Sequence, residues 1–279
     1  MTAKTPFFDS PDDLARLVPD GASIAIAKEP SSPFALARAL IRRGARNLHL
    51  VTVPTAGLIA DLLIGAGAVR LVETSGVSLG EFGPAPRFAS AVKSGAVEIR
   101  DATCPAVYAA LQAGEKGQPF APIRGVLGSD LLARRPDWRV IDNPFSDGED
   151  PVVLLAPIRP DFALIHADRA DRFGNVFVGG RHEFKTMAHA ARQTLVTVEE
   201  IVDHDLREDE ATAANLIGGL YVAGLAAAPG GARPAAAPGR YAADEAHVAS
   251  YAKRARDEAD FADYLAAEVF GRTPAAAAE

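Results

Sequence analysis

Residues 47–73 read NLHLVTVPTAGLIADLLIGAGAVRLVE, and this stretch decides the architecture. Asn47 to Val53 is a short stretch dominated by Leu and Val, the pattern of a strand. Ala56 to Gly65 is an apolar segment of helical length that stops on a glycine, and Val69 to Glu73 is a second apolar strand. Short apolar strands alternating with helices make βαβ units and a mostly parallel sheet covered on both faces.

The alternation extends outward in both directions. Upstream, Asp9-Ser10-Pro11 caps a helix whose first turn holds Asp12 and Asp13, and Asp20-Gly21 turns into a strand at Ser23 to Ala27. Ser31 and Ser32 read as caps of the next helix, where Phe34, Leu36, Ala37, Leu40 and Ile41 keep helical spacing. Downstream come a helix at 86–94 ended by Gly95, a strand at 97–100 and a helix at 105–113 ended by Gly114. Further strands fall at 152–156, 162–167 and 194–198, with a helix near 184–192. The glycine-, alanine- and proline-rich residues 226–240 read as an extended surface connector, and residues 241–271 as C-terminal helices. The expectation is one α/β domain over residues 1–279: an open, mostly parallel sheet, helices on both faces and a helical C-terminal arm.

Composition narrows the function. A formal net charge of -7 with no basic block argues against nucleic acid as a partner. Cys104 is the single cysteine, which excludes an internal disulfide and a cysteine zinc site, and the histidines show neither HxxxH nor HExxH spacing, so no metal is expected. The N-terminal MTAKTPFFDSPDDLARLV lacks the apolar core of a signal peptide, and no run of 18 apolar residues occurs. A cytoplasmic protein without a membrane partner is expected.

In an open parallel sheet, ligands bind beyond the carboxyl ends of the strands, where helix N-termini present free N–H groups. Lys28-Glu29-Pro30-Ser31-Ser32 follows the first such strand and Pro54-Thr55-Ala56-Gly57 the second. The third leads into residues 74–83, TSGVSLGEFG, with Ser78, Gly80 and Glu81, and the fourth into Asp101-Ala102-Thr103-Cys104-Pro105. Each has a plain reading beside the functional one: Lys28-Glu29 as a solvated pair, the glycines as simple turns, and Cys104 as a small buried hydrophobe rather than a thiol activated at a helix N-terminus. Asp161 to Asn175 delivers His166 and Asp168 to a sheet end, where Asp171 can bind the N–H groups of a tight turn.

In order along the chain, several segments resemble the A subunits of family I CoA-transferases, the glutaconate branch in particular. They are residues 62–69 (LLIGAGAV), 77–88 (VSLGEFGPAPRF), 94–98 (SGAVE), 161–175 with its AD..GN element, 228–234 (APGGARP) and the tail from Tyr241 to Leu265. The resemblance implies a phosphosugar-isomerase/CoA-transferase-like fold. It also implies a B-type partner subunit that carries the attacking glutamate, and an acyl-CoA and a carboxylic acid as substrates. A coenzyme A thioester is then substrate, and no cofactor is bound permanently. On this reading Lys28, Ser31, Ser78, Gly80 and Glu81 bind substrate, with Glu29 and Cys104 as candidate catalytic groups. One departure stands out: Ala27-Lys28-Glu29 replaces the family's Gly-Gly-Phe. Two further readings stay open, a subunit of an acyl-CoA hydrolase that opens a thioester or a ring, and a non-catalytic acyl-CoA-binding module.

Overall fold

The computed structural model describes residues 5–272. The ends of the expected domain, 1–4 and 273–279, lie outside the described residues, as does the start of the stretch read for a signal peptide. The strands are β1 (Phe7–Phe8), β2 (Ser23–Ala27), β3 (Leu48–Val53), β4 (Val69–Thr74), β5 (Glu98–Asp101), β6 (Ala121–Ile123), β7 (Arg139–Asp142), β8 (Pro151–Leu155), β9 (Phe162–Asp171), β10 (Val176–Phe177), β11 (Gln193–Val202), β12 (Leu216–Ile217) and β13 (Val222–Ala227). The helices are α1 (Pro11–Ala15), α2 (Phe34–Arg43), α3 (Leu58–Gly65), α4 (Pro86–Ser94), α5 (Cys104–Glu115), α6 (Leu131–Arg134), α7 (His182–Ala190), α8 (Glu210–Ala213), α9 (Glu245–Arg254) and α10 (Glu258–Glu268).

The main sheet runs β1-β13-β11-β9-β2-β3-β4-β5, and every neighbouring pair along it is parallel. Alternate side chains of the central strands β2 and β9 feed opposite cores, as the two-residue pleat requires. Ile24 and Ile26 of β2 join one core with α2, α3, α9 and α10, whereas Ala25 and Ala27 join the other with α7 and Leu111 of α5. The chain builds outward from β2 to β5, then returns to place β9 on the other side of β2. The helix after β2 packs on one face and the helix after β9 on the other. A topological switch point therefore lies between β2 and β9, where the crevice beyond the carboxyl ends opens.

Three expectations are corrected. The strand expected at 152–156 exists as β8, but it is the middle of a separate antiparallel sheet, β6-β8-β7. Length and apolar content cannot say which sheet a strand joins. Gly114 does not end its helix, since α5 continues to Glu115. A Cβ at Gly114 would lie 2.1 Å from the Ile158 carbonyl oxygen, so this glycine admits a crossing backbone. Residues 226–240 are not a surface connector: Ala226 lies within β13, and Ala232, Ala235 and Ala237 are buried. Their backbone is stitched to the body, with Ala35 N–H donating to the Gly231 carbonyl and Ser31 N–H to the Ala236 carbonyl, both at 2.8 Å. Small side chains permit that close packing, and composition alone reads the same residues as a linker.

Candidate active site

Beyond the carboxyl ends of β2, β3 and β4 lies a cavity of about 340 Å³. Its floor and walls are mostly apolar, with Phe34, Leu58, Leu79, Phe82 and Val248 among them, and Pro234 to Ala236 close one side. Three polar side chains face it: Lys28, Glu29 and Ser78. Glu29 is the distinctive one. Its carboxyl lies against Gly57, the residue before α3, so closely that a Cβ there would be 2.5 and 2.6 Å from the two carboxyl oxygens. The first N–H groups of a helix lack intrahelical partners and carry partial positive charge, a favourable seat for a carboxylate. Burial pushes the Glu29 carboxyl above its ordinary value of 4.5. Its own backbone N–H, the Lys28 ammonium, the Leu58 N–H and Arg181 pull it back.

The other expected residues scatter around this seat. Ser31 has φ of 60° and is buried, and its N–H holds the 236 segment. Neither Ser31 nor Ser32 caps α2: Pro33 holds the cap position without a side-chain bond, and Ser32 Oγ donates to the Ala27 carbonyl at 3.2 Å. Proline at the cap leaves the serines to stabilise the strand-to-helix bend instead. Gly80 has φ of 65°, which suits glycine, and donates its N–H to Ser78 Oγ at 3.1 Å. Glu81 is exposed on the short 3-10 turn Gly80–Phe82, outside the cavity lining.

Cys104 opens α5 with Pro105 in the first turn, as the sequence indicates, but it is exposed rather than a buried hydrophobe. Its partner is a hydroxyl: Sγ lies 3.1 Å from Ser75 Oγ. Ser75 commits its own proton to the Pro54 carbonyl at 2.7 Å, so the thiol is the donor of that pair. Cys104 therefore lies outside the cavity, on a helix that packs against other cores than the one α3 serves, and the structure does not bring it together with Glu29.

Two groups of residues around the site escape sequence reasoning. Arg181, just before α7, donates to the carbonyl oxygens of Lys28 (2.7 Å) and Pro30 and to the Glu183 carboxylate. Glu199 of β11 accepts hydrogen bonds from Gly230 N–H (2.7 Å) and Tyr241 Oη (2.5 Å) and pairs with His166 Nε2 (2.8 Å). Burial would raise this carboxyl, but the bonds from His166, Tyr241 and Gly230 outweigh burial and hold it at about 2. Glu183 apart, which is two residues from Arg181, these partners stand 31 to 153 residues apart in the chain, and only glycines at 179–180 and 230–231 mark the loops involved. Asp171 acts as its turn demands, accepting from the Phe173 and Asn175 N–H groups at 2.9 Å. Among the described residues no cluster of His, Cys, Asp or Glu could hold a metal ion, and no helix is long and apolar enough to cross a membrane.

The chain as a whole is similar to known proteins. Residues 8–228 match the family model described as Coenzyme A transferase. The A subunit of 3-oxoadipate CoA-transferase from Pseudomonas knackmussii is 35% identical over 255 residues, covering 90% of this chain and 88% of its own length. The A subunit of glutaconate CoA-transferase from Acidaminococcus fermentans is 30% identical over 93% of this chain and 86% of its own length. The crystal structure of the glutaconate enzyme from that organism superposes with a TM-score of 0.86 at 27% identity, over 95% of this chain and 89% of that one. The crystal structure of a variant of the decarboxylase AibA/AibB superposes at 0.81 with 30% identity, over 94% of this chain and 99% of that one. The chain belongs to the coenzyme A transferase family and is an enzyme subunit of its A type.

Proposed function

We propose that this chain is the A-type component of a heteromeric enzyme that moves CoA from an acyl-CoA to a carboxylic acid, and that the cavity at Glu29 receives the acyl group. The observation that carries the reading is the apolar cavity at the carboxyl edge of β2 to β4, with Lys28, Glu29 and Ser78 as its polar side chains. The apolar walls suit an acyl body, and Lys28 and Ser78 offer donors to a carbonyl or carboxylate oxygen. Gly80 and Glu81 belong to the turn that presents Leu79 and Phe82 to the cavity, and Ser31 ties the Glu29 loop to its opposite wall.

The nucleophile is a glutamate of a B-type partner. Its carboxylate displaces the CoA thiolate to form an acyl anhydride. The thiolate then attacks the glutamyl carbonyl, giving an enzyme–CoA thioester and releasing the first acid. The acceptor carboxylate reverses both steps. One feature favours a second reading, hydrolysis: Glu29 places a carboxyl of raised pKa inside the cavity, where it can take a proton from water. The test is purification of the chain from its source with whatever binds it, then incubation with a panel of acyl-CoA donors and labelled acids. A second chain of similar size together with label entering the CoA pool supports transfer. Label entering the acid product from oxygen-18 water, without an acceptor, supports hydrolysis. A chain that binds acyl-CoA and turns over neither way refutes both.

A further inference from the structure

The loop that carries Glu29 leaves β2 at the switch point, and a residue from the opposite face of the sheet reaches across to hold it. Arg181 stands at the cap position of α7, and α7 packs on the core opposite the one that α2 and α3 serve. Its guanidinium donates through Nη2 to the Lys28 carbonyl at 2.7 Å and through Nη1 to the Pro30 carbonyl, the two residues that flank Glu29. The third side of the fork goes to the Glu183 carboxylate, and the Phe184 ring lies 4.5 Å from the guanidinium carbon. The side chain is 18% exposed. With three hydrogen-bond partners and an aromatic face beneath it, the guanidinium has little freedom left.

We propose that Arg181 is a positioning residue: by holding the carbonyls on both sides of Glu29 it sets where the Glu29 carboxyl sits in the cavity. This rests on the reading of that cavity as the acyl site. Several features point the same way. Pro30 has no N–H, so its carbonyl is the one strong backbone group by which that residue can be tied. Ser31 N–H holds the far end of the loop to Ala236, and Arg181 holds the near end. The Glu29 carboxyl lies directly against Gly57, and its place there follows the 28–30 backbone that carries it. Only a planar fork with several fixed donors spans two carbonyls and a carboxylate at once. A lysine there would keep the charge and lose the geometry.

The experiment uses the enzyme purified with its partner and compares Arg181→Lys in two backgrounds, wild type and Glu29→Ala. Arg181→Lys is expected to lower kcat/KM about 30-fold in the wild type, within the range that misplacing a reacting group by an ångström can cost. In the Glu29→Ala background the further loss should shrink to about threefold or less, because residues acting through one group are not additive. Equal losses in both backgrounds would overturn the proposal. Amide exchange gives a readout that needs no turnover: in Arg181→Lys the Glu29 and Ser31 amides should exchange about tenfold faster or more at unchanged Tm. Wild-type protection there would also overturn it. If no acyl-CoA is turned over by any form, the reading of the cavity fails, and the exchange rates still decide whether Arg181 holds the loop. Arg181→Gln serves the same comparison should the lysine variant not fold.

Discussion

Gly57→Ala adds one methyl group at the most closely packed point of the site. The new Cβ would lie 2.5 Å from Glu29 Oε2 and 2.8 Å from Cδ. Ordinary contact begins near 3.4 Å, so the carboxyl has to retreat by 3.4 − 2.5, about 0.9 Å. Because the obstacle is the end of a flexible side chain and not backbone, the fold should yield cheaply. Alanine at a helix cap costs about 0.5–1 kcal/mol relative to glycine, a Tm decrease of about 1–4 °C in a chain of this size. Catalysis has no such slack. Displacing a positioned group by about an ångström lowers kcat/KM about 100-fold, or about 2.7 kcal/mol of transition-state stabilisation. The assay is CoA exchange by the purified pair, with Tm measured on the same samples. A folded Gly57→Ala enzyme with unchanged kcat/KM would show that Glu29 does not work from this seat. A Tm drop well beyond 4 °C would show that the carboxyl cannot move aside.

Gly114→Ala is the contrasting case: its Cβ meets the Ile158 carbonyl oxygen at 2.1 Å, a backbone obstacle, so calorimetry should show a loss of about 2–3 kcal/mol or more. Glu29→Gln should separate stability from activity. Ionising a carboxyl whose folded pKa is raised opposes folding as pH rises through 4.5 and beyond, so at pH 7 the amide variant should melt no lower than the wild type while kcat/KM falls. Glu199 has the opposite sign. Its side chain is 7% exposed, so solvent screens its bonds little. The carboxyl is held at about 2 against an ordinary 4.5, so it contributes up to about 3 kcal/mol in full above pH 5 and loses this as pH falls towards 2. Tm recorded between pH 6 and 2.5 should therefore fall less steeply in Glu199→Gln than in the wild type, and parallel curves would contradict the assignment.

Much of the fold was legible because its signals are local. The Asp9-Ser10-Pro11 cap appears as written, with the Asp13 N–H donating to Ser10 Oγ at 3.2 Å, and Gly95 ends α4 in a left-handed conformation. The strands at 23–27 and 48–53 read correctly because burial on both faces leaves short stretches dominated by Ile, Ala, Leu and Val. Local signals failed where a residue answered to a distant neighbour. Gly114 looks like a helix stop and is a crossing point for Ile158. Ala232 and Ala235 look like linker residues and are buried in a segment whose backbone is bonded to the start of α2.

The site divides along the same boundary. Strand ends rich in serine, glycine and charge mark where ligands bind in a parallel sheet, and the sequence alone placed Lys28, Glu29 and Ser78 at one sheet edge. That Glu29 enters the cavity while Cys104 lies outside it depends on which face each following helix covers. Neither spacing nor residue type encodes that choice. Arg181 and Glu199 could not be read at all, since the partners that define their roles, the Lys28 and Pro30 carbonyls, His166, Gly230 and Tyr241, lie 31 to 153 residues away. Local sequence governs backbone preference and burial, each decided within a few residues. The fit of a carboxyl against Gly57, or of a guanidinium between two carbonyls, is decided only when the packed sheet brings remote loops within hydrogen-bond distance.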